Sequence, residues 1–399
     1  MNGRAIVLRG DARNLPLPDE SVDLIVTSPP YYGLRDYRDG DESLAGQIGN
    51  EPHPREYIDN LLDCTREWMR VLKPEGSIWV NLGDSYYSGR GAPKGQDAKS
   101  PARRFGVRPL DRSGLGFPPK SLIGLPWRYA IGCVDDLGLT LRAEVIWDKP
   151  NGLPESVTDR VRRSHEHWFH FTLQRRYYSA VDEIRQPASD YSRRPGAQRA
   201  TPPGQRRRAM ADTVNPLGAL PGSVWEVASQ PLNVPEHLGT DHYAAFPMEW
   251  PRRIIRGWSP PGICTACGEG RRPVCERTPM VWRESPTIAG RTGDRSYKPA
   301  SGTMLTPPET RITGYACACP TPVAPTRPGV VLDPFGGSGT TSLVAATLGR
   351  HGVSVDRSAD YCRIAQWRTT DPGERARALG LPKPQPVHPG QDSLFEEIA

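Results

Sequence analysis

Val331-Leu332-Asp333-Pro334-Phe335-Gly336-Gly337-Ser338-Gly339-Thr340-Thr341 is the stretch that decides the fold. From Gly329 to Asp333 the chain reads as a short buried strand. The glycines that follow make a tight turn, because without a Cβ they let backbone and ligand come close together. Thr340 opens a helix running to about Leu348, with Gly349 as its stop. The N–H groups exposed at such a helix start suit a carboxylate. Val353-Ser354-Val355-Asp356 is then a further strand that ends in an acid.

Working outward, Ala5-Ile6-Val7-Leu8 reads as a buried strand ending at Gly10-Asp11, and Val22 to Thr27 as a second, stopped by Ser28-Pro29-Pro30. A helix is expected from about Tyr57 to Lys73, with Ile58, Leu61, Leu62, Trp68, Met69 and Leu72 on one face and Lys73-Pro74-Glu75-Gly76 ending it. Ser77 to Leu82 is the next strand. Trp127, Ala130, Ile131 and Val134 mark a second helix, and Leu141–Trp147 and His167–Leu173 two more strands. Strands alternating with helices predict an α/β fold on a mostly parallel sheet. The order is unusual, since a glycine-rich strand-to-helix turn ordinarily follows the first strand and here lies near the C-terminus.

The chain has 399 residues, enough for a large domain plus a smaller lobe, and its 43 prolines and 40 glycines cluster into long loops. A net charge of +6 fits a polyanionic partner without requiring one. No apolar run approaches the roughly twenty residues that span a bilayer, so no membrane partner is expected. The N-terminus lacks a signal-peptide core, and a cytoplasmic location is expected. There the eight cysteines should be reduced or metal-bound.

Thr27-Ser28-Pro29-Pro30-Tyr31-Tyr32 is the second informative motif. It can be read as a plain proline turn at a strand end, but a chemical reading accounts for each position. The exocyclic amine of a base is a poor nucleophile, because its lone pair is delocalised into the ring. Acceptors that bind its two hydrogens favour a more tetrahedral nitrogen. The Ser28 hydroxyl and the Pro29 carbonyl can be those acceptors, with the prolines fixing where the carbonyl points. Tyr31 offers a flat face for an extruded base.

Together the two motifs resemble the amino-methylating DNA methyltransferases, whose catalytic motif is Asp/Asn/Ser-Pro-Pro-aromatic and whose cofactor motif is Asp-Pro-Phe-x-Gly-x-Gly. The catalytic motif comes first here, as in the permuted β group of that family. The resemblance implies a Rossmann-like, circularly permuted S-adenosylmethionine-dependent methyltransferase sheet of seven strands. It implies double-stranded DNA as substrate and a companion restriction endonuclease. Its implied catalytic residues are Ser28, Pro29, Pro30 and Tyr31. Its implied cofactor residues are Asp11 at the adenine end, Asp356 at the ribose hydroxyls, and Phe246 within Tyr243–Pro247 closing the methionine pocket. Asp333, Phe335, Gly337, Gly339 and Thr340 form its glycine turn. Ile146–Asn151 and Ser164–Glu166 also look like family segments. Ser before Pro-Pro favours cytosine N4 as target; adenine N6 on the same architecture is the alternative. A catalytically silent DNA-binding protein is the more distant one. No Pro-Cys pair occurs, which argues against cytosine C5 methylation.

Cys264-Thr265-Ala266-Cys267 and Cys317-Ala318-Cys319 suggest a four-cysteine structural zinc site, with Cys275 as a spare. Free surface thiols are the alternative. Cys64, Cys133 and Cys362 read as small core residues. Arg193, Arg194, Arg206, Arg207 and Arg208, with Arg160, Arg162 and Arg163, are candidate phosphate contacts, against the alternative of a solvated loop. The expected organisation is a catalytic half (1–185) with a mobile loop (85–119), then a basic target-recognition insertion (186–235) and a cofactor-pocket segment (236–261). A cysteine-rich insertion (262–328), a cofactor-binding half (329–374) and a disordered tail (375–399) follow.

Overall fold

The computed structural model of the chain describes residues 3–34, 37–39, 42–90, 109–152, 154–187, 215–238, 245–277, 281–283, 303–306, 310–320 and 323–383. Its main sheet contains β1 (Ala5–Arg9), β2 (Val22–Thr27), β3 (Leu72–Leu82), β4 (Thr140–Asp148), β5 (His165–Thr172), β6 (Val224–Glu226), β7 (Val330–Asp333) and β8 (His351–Asp356). The spatial order is β1-β8-β7-β2-β3-β5-β4-β6. The five strands from β1 to β3 are mutually parallel. β5 runs antiparallel to both β3 and β4, and β6 is parallel to β4. The late strand β7, which feeds the glycine turn, thus lies in the middle of the sheet beside β2.

Helices cover both faces. α1 (Pro54–Val71) and α2 (Leu125–Asp135) pack on one, against Ile25, Ile78, Val80 and Phe171. α3 (Glu249–Trp258) and α4 (Thr340–Thr347) pack on the other, against a tryptophan-rich layer of Trp79, Trp147, Trp168 and Trp225. α5 (Ala359–Thr370) and α6 (Pro372–Leu379) are the last helices among the described residues. Every residue of β2 is buried, as expected of a parallel strand covered on both faces. In β3 the period of two sends Ile78 and Val80 to one core and Trp79 to the other.

Several elements depart from the sequence expectations. The sheet has eight strands, because Val224–Glu226 adds an edge strand and buries Trp225. Part of 186–235 is therefore scaffold. α1 ends at Val71 and β3 begins at once. Lys73–Gly76 bulges out of the ladder, since Val22 pairs with Leu72 but Leu24 pairs with Ser77; Pro74, which has no N–H to give, sits in that bulge. In α2 the apolar residues Trp127, Ile131 and Val134 are exposed, and the buried face is instead Leu125, Pro126, Tyr129, Ala130 and Cys133. The Tyr129 hydroxyl lies 2.8 Å from that of Thr65 on α1, which sets the rotation of the helix.

The described arms of 85–119 are pinned: Tyr87 N–H donates to Ser121 O, Ser88 N–H donates to Leu110 O, and Tyr87 and Leu110 are buried. Residues 91–108 lie outside the described residues. The expected tail begins inside α6, which Asp371 caps and which buries Ala376 and Ala378. Among the described residues no helix is long and apolar enough to cross a membrane.

Candidate active site and thiol cluster

The two motifs, more than 300 residues apart in sequence, meet at the C-terminal edge of the sheet, where its central parallel strands end. Thr27 ends β2, Asp333 ends the parallel neighbour β7, and the Thr27 hydroxyl donates to Asp333 Oδ1 at 2.7 Å. Asp333 Oδ1 also accepts the Phe335 N–H at 3.1 Å, and its Oδ2 accepts the Thr341 hydroxyl at 2.8 Å. Burial raises this carboxyl from 3.8 to about 6, against the lowering effect of its donors. Asp333 therefore stands behind the turn and shapes it, rather than lining the cleft in front.

That cleft is open to solvent and holds about 900 Å³ of empty space, counting the solvent at its mouth. Gly10, Asp11, Ser28, Pro30, Phe246, Phe335, Gly337, Thr340 and Asp356 line it, as do Ser338 and Tyr361. Gly336 needs its missing side chain: a Cβ there would lie 2.6 Å from that of Ser354. Gly337 and Gly339 adopt left-handed backbone, with φ of 49° and 73°. Gly339 is the N-cap of α4 and, unlike Gly337, is not among the residues that line the cleft. At the end of β8, Asp356 Oδ2 accepts the Gly337 N–H and Oδ1 the Ser358 N–H, both at 2.9 Å. The hydrogen bond from Arg13 holds Asp11 below the ordinary carboxylate range, with Arg357 nearby.

Arg368 was not singled out by the sequence. Its buried guanidinium, carried on α5, donates to Ser338 Oγ at 3.1 Å and Thr340 Oγ1 at 2.7 Å, and is balanced by Glu374 at 2.8 Å. With its charge neutralised by Glu374, it fixes the Ser338 and Thr340 hydroxyls at the start of α4.

Ser28 lines the cleft, and its hydroxyl donates to Asn81 Oδ1 at 3.2 Å. Its one proton is thus directed inward; the hydroxyl also neighbours the Tyr31 phenol, and its remaining acceptor capacity faces the cleft. Asn81 is buried at the end of β3, and its amide donates to His167 O at 3.1 Å. The Tyr31 hydroxyl lies 2.7 Å from both Asn81 Oδ1 and Glu166 Oε2. Glu166 in turn pairs with Lys149, whose ammonium stands 4.0 Å over the Trp147 ring. Burial first, then the Glu166 charge, push the Tyr31 phenol well above its ordinary range. Pro29 is buried and does not line the cleft, while the Pro30 carbonyl accepts the Tyr57 hydroxyl at 2.9 Å. The Asn81–Glu166–Lys149 support was missed in the sequence. Its faint signal was a polar Asn inside the apolar run 78–82, and two family-like segments with no role attached.

Of the candidate phosphate contacts, Arg193, Arg194, Arg206, Arg207 and Arg208 lie outside the described residues, as do Tyr243 and Ala244. Arg160 stacks 3.8 Å over the Tyr86 ring and pairs with Glu155 at 2.7 Å. It lies in the β4–β5 loop, which emerges at the same sheet edge as the cleft, since Leu82 at the end of β3 pairs with His167 near the start of β5.

The sulfurs of Cys264, Cys267, Cys317 and Cys319 lie within 4.8 Å of one another. Cys275 stands apart and exposed, and Cys64, Cys133 and Cys362 are buried. The cluster is at the opposite edge of the sheet. Cys264 belongs to the strand Ile263–Cys264, which pairs with Thr326–Arg327 just before β7 begins.

A sequence profile of the DNA methylase family matches residues 22–265 and 325–367, a span that includes both motifs. The chain is 32% identical over 364 residues to the type II methyltransferase M.SmaI of Serratia marcescens, covering 91% of this chain and 89% of that protein. It is 37% identical over 264 residues to the type II methyltransferase M.Cfr9I of Citrobacter freundii, covering 66% and 75%. Its fold is similar to that of the cytosine-N4-specific PvuII DNA methyltransferase, with a TM-score of 0.51 and 17% identity over 95% of this chain and 92% of that one. The chain belongs to the amino-methylating (N6/N4) DNA methylase family and is a DNA methyltransferase.

Proposed function

We propose that the protein methylates the N4 amine of a cytosine extruded from double-stranded DNA, using S-adenosylmethionine. The choice of cytosine rests on the family resemblance, in which Ser before Pro-Pro favours cytosine N4. The observation that carries amine methylation is the inward hydrogen bond of Ser28, which turns its proton away from the cleft. An acceptor there suits a base amine, whose two hydrogens need partners before its nitrogen becomes nucleophilic.

The cleft fits the cofactor. Gly337, Ser338 and Thr340, at the start of α4 and backed by Arg368, would hold its carboxylate. Asp356 would take the ribose hydroxyls, Gly10 and Asp11 the adenine end, and Phe246 the methionine end. Bound there, S-adenosylmethionine supplies an activated methyl group for direct displacement by the base nitrogen. The remaining work belongs to the protein. Ser28 orients the amine. Pro29 is buried behind the cleft rather than lining it, and serves to set the backbone that carries Ser28. Asn81 and Glu166 fix the Tyr31 ring beside the base. Positioning and exclusion of water supply most of the rate. Methyl transfer needs no Lewis acid, so the distant thiol cluster is not asked to take part. The order of the motifs reads as the permuted arrangement. The resemblance to type II methyltransferases supports a role in protecting sites from a companion restriction endonuclease.

The test incubates the protein with mixed-sequence duplex DNA and isotopically labelled S-adenosylmethionine, then identifies the labelled nucleoside by mass spectrometry. Labelled N4-methylcytosine is expected. Labelled N6-methyladenine alone would overturn the base assignment.

A further inference from the structure

We propose that Cys264, Cys267, Cys317 and Cys319 bind one zinc ion in a four-thiolate site that is structural and independent of methyl transfer. Two separate observations lead to it. The first is the donor set. Four sulfurs converge within 4.8 Å. Tetrahedral zinc with Zn–S bonds of about 2.3 Å places its sulfurs about 3.8 Å apart, so small side-chain rotations complete the site. The backbone is already arranged for it. Gly268, left-handed at φ 76°, closes a tight turn in which its N–H donates to Cys264 O at 2.9 Å. The Cys267 and Ala266 amides hydrogen-bond the Cys264 sulfur, as suits a thiolate. Glu269 Oε2 accepts the Ala318 N–H at 3.3 Å, tying one cysteine pair to the other.

The second observation is what the cluster holds together. Between the two pairs, Arg272–Arg277 and Thr310–Ala316 form a two-stranded antiparallel ribbon. Among the described residues neither strand buries a side chain: five of six residues are exposed in Arg272–Arg277 and four of seven in Thr310–Ala316, so the two strands form no apolar core between them. A lone two-stranded ribbon is marginal in water. The cysteines stand at its base, where the two strands enter and leave. A metal there replaces the missing core, because binding free energy becomes folding free energy.

The place of the cluster settles its role. The ribbon base is fixed to the N-terminal edge of the sheet, opposite the cleft. Thr265 N–H donates to Pro325 O at 2.9 Å, and the Tyr178 hydroxyl donates to Arg271 O at 3.0 Å. Tyr178 N–H itself donates to Glu75 O at the start of β3, whereas Ser28 and Asn81 belong to the other edge.

The experiment measures metal in the full chain purified without chelator, by elemental mass spectrometry, and then exchanges it for cobalt(II). One zinc per chain is expected, with the intense visible bands and thiolate-to-metal charge transfer of tetrahedral four-thiolate cobalt. Cys267→Ser and Cys317→Ser should each lose that spectrum, while Cys275→Ser should keep both metal and spectrum. Chelation should unmask four thiols to a thiol reagent and lower the melting temperature, while S-adenosylmethionine affinity stays within twofold. Folded protein without stoichiometric metal would overturn the proposal, as would a cobalt spectrum lacking thiolate charge transfer. Both readouts use the unmutated chain, so a variant that fails to fold leaves the test intact. They also do not depend on which base is methylated.

Discussion

A serine hydroxyl has one proton, and in this protein Asn81 receives the one on Ser28. Ser28→Ala removes the acceptor and should lower kcat about a hundredfold, the scale of losing one preorganised hydrogen-bonding group at a reacting centre. S-adenosylmethionine affinity, measured by calorimetry, should be unchanged. Asn81→Leu leaves Ser28 in place but frees its proton to turn toward the cleft, and should lower single-turnover rates more than tenfold with the same unchanged affinity. Equal losses in rate and cofactor binding would instead indicate general collapse of the site.

Asp333 makes a prediction in pH. The folded chain holds this carboxyl at about 6, against 3.8 ordinarily, so it binds its proton more tightly folded than unfolded. Its contribution to stability is complete below pH 3.8 and is lost as pH rises through about 6. Asp333→Asn removes that titration. The stability of the native chain relative to this variant should fall by about 3 kcal/mol between acid and neutral pH. Urea unfolding at a series of pH values checks it. A constant difference would mean that the carboxyl titrates normally.

At the scale of elements, the β7–α4 turn is a packing junction as much as a binding loop. Gly336→Ala drives a Cβ to within 2.6 Å of the Ser354 Cβ on the neighbouring strand. Strand and turn must part, at a cost of about 1–3 kcal/mol. Because the displaced turn forms the cleft, cofactor affinity should fall at least tenfold; calorimetry and a denaturant titration together test this. α2 teaches the opposite lesson. Its sequence offers two apolar stripes, and the helix buries the one containing Tyr129, which reaches Thr65. Helical period identifies a helix, but the partner helix decides which face turns inward.

At the scale of the whole molecule, the sheet separates chemistry from support. One edge gathers the cleft and the Arg160 loop; the other gathers the thiol cluster. Arg206, Arg207 and Arg208 lie outside the described residues, and their proposed contact with DNA is tested in solution. Replacing all three by Gln should weaken duplex binding and reduce the slope of log affinity against log salt by about 2 to 3. An unchanged slope would remove them from the DNA interface.

The sequence alone determined the α/β class, the two motifs and the clustered cysteines, because each is written in short-range patterns. Buried strands are apolar runs, the glycine turn needs residues without a Cβ, and paired thiols are close in the chain. It could not show that Asp333 faces Thr27 rather than a ligand, or that Asn81, Glu166 and Arg368 support the site. These contacts join residues 28 with 81, 31 with 166, and 338 with 368. The parallel pairing of β2 with β7 and β3, the antiparallel pairing of β5 with β3, and the packing of α5 behind the turn bring them within reach. The direction of a side chain inside the fold depends on neighbours that are distant in sequence, and so the tertiary structure alone decided it.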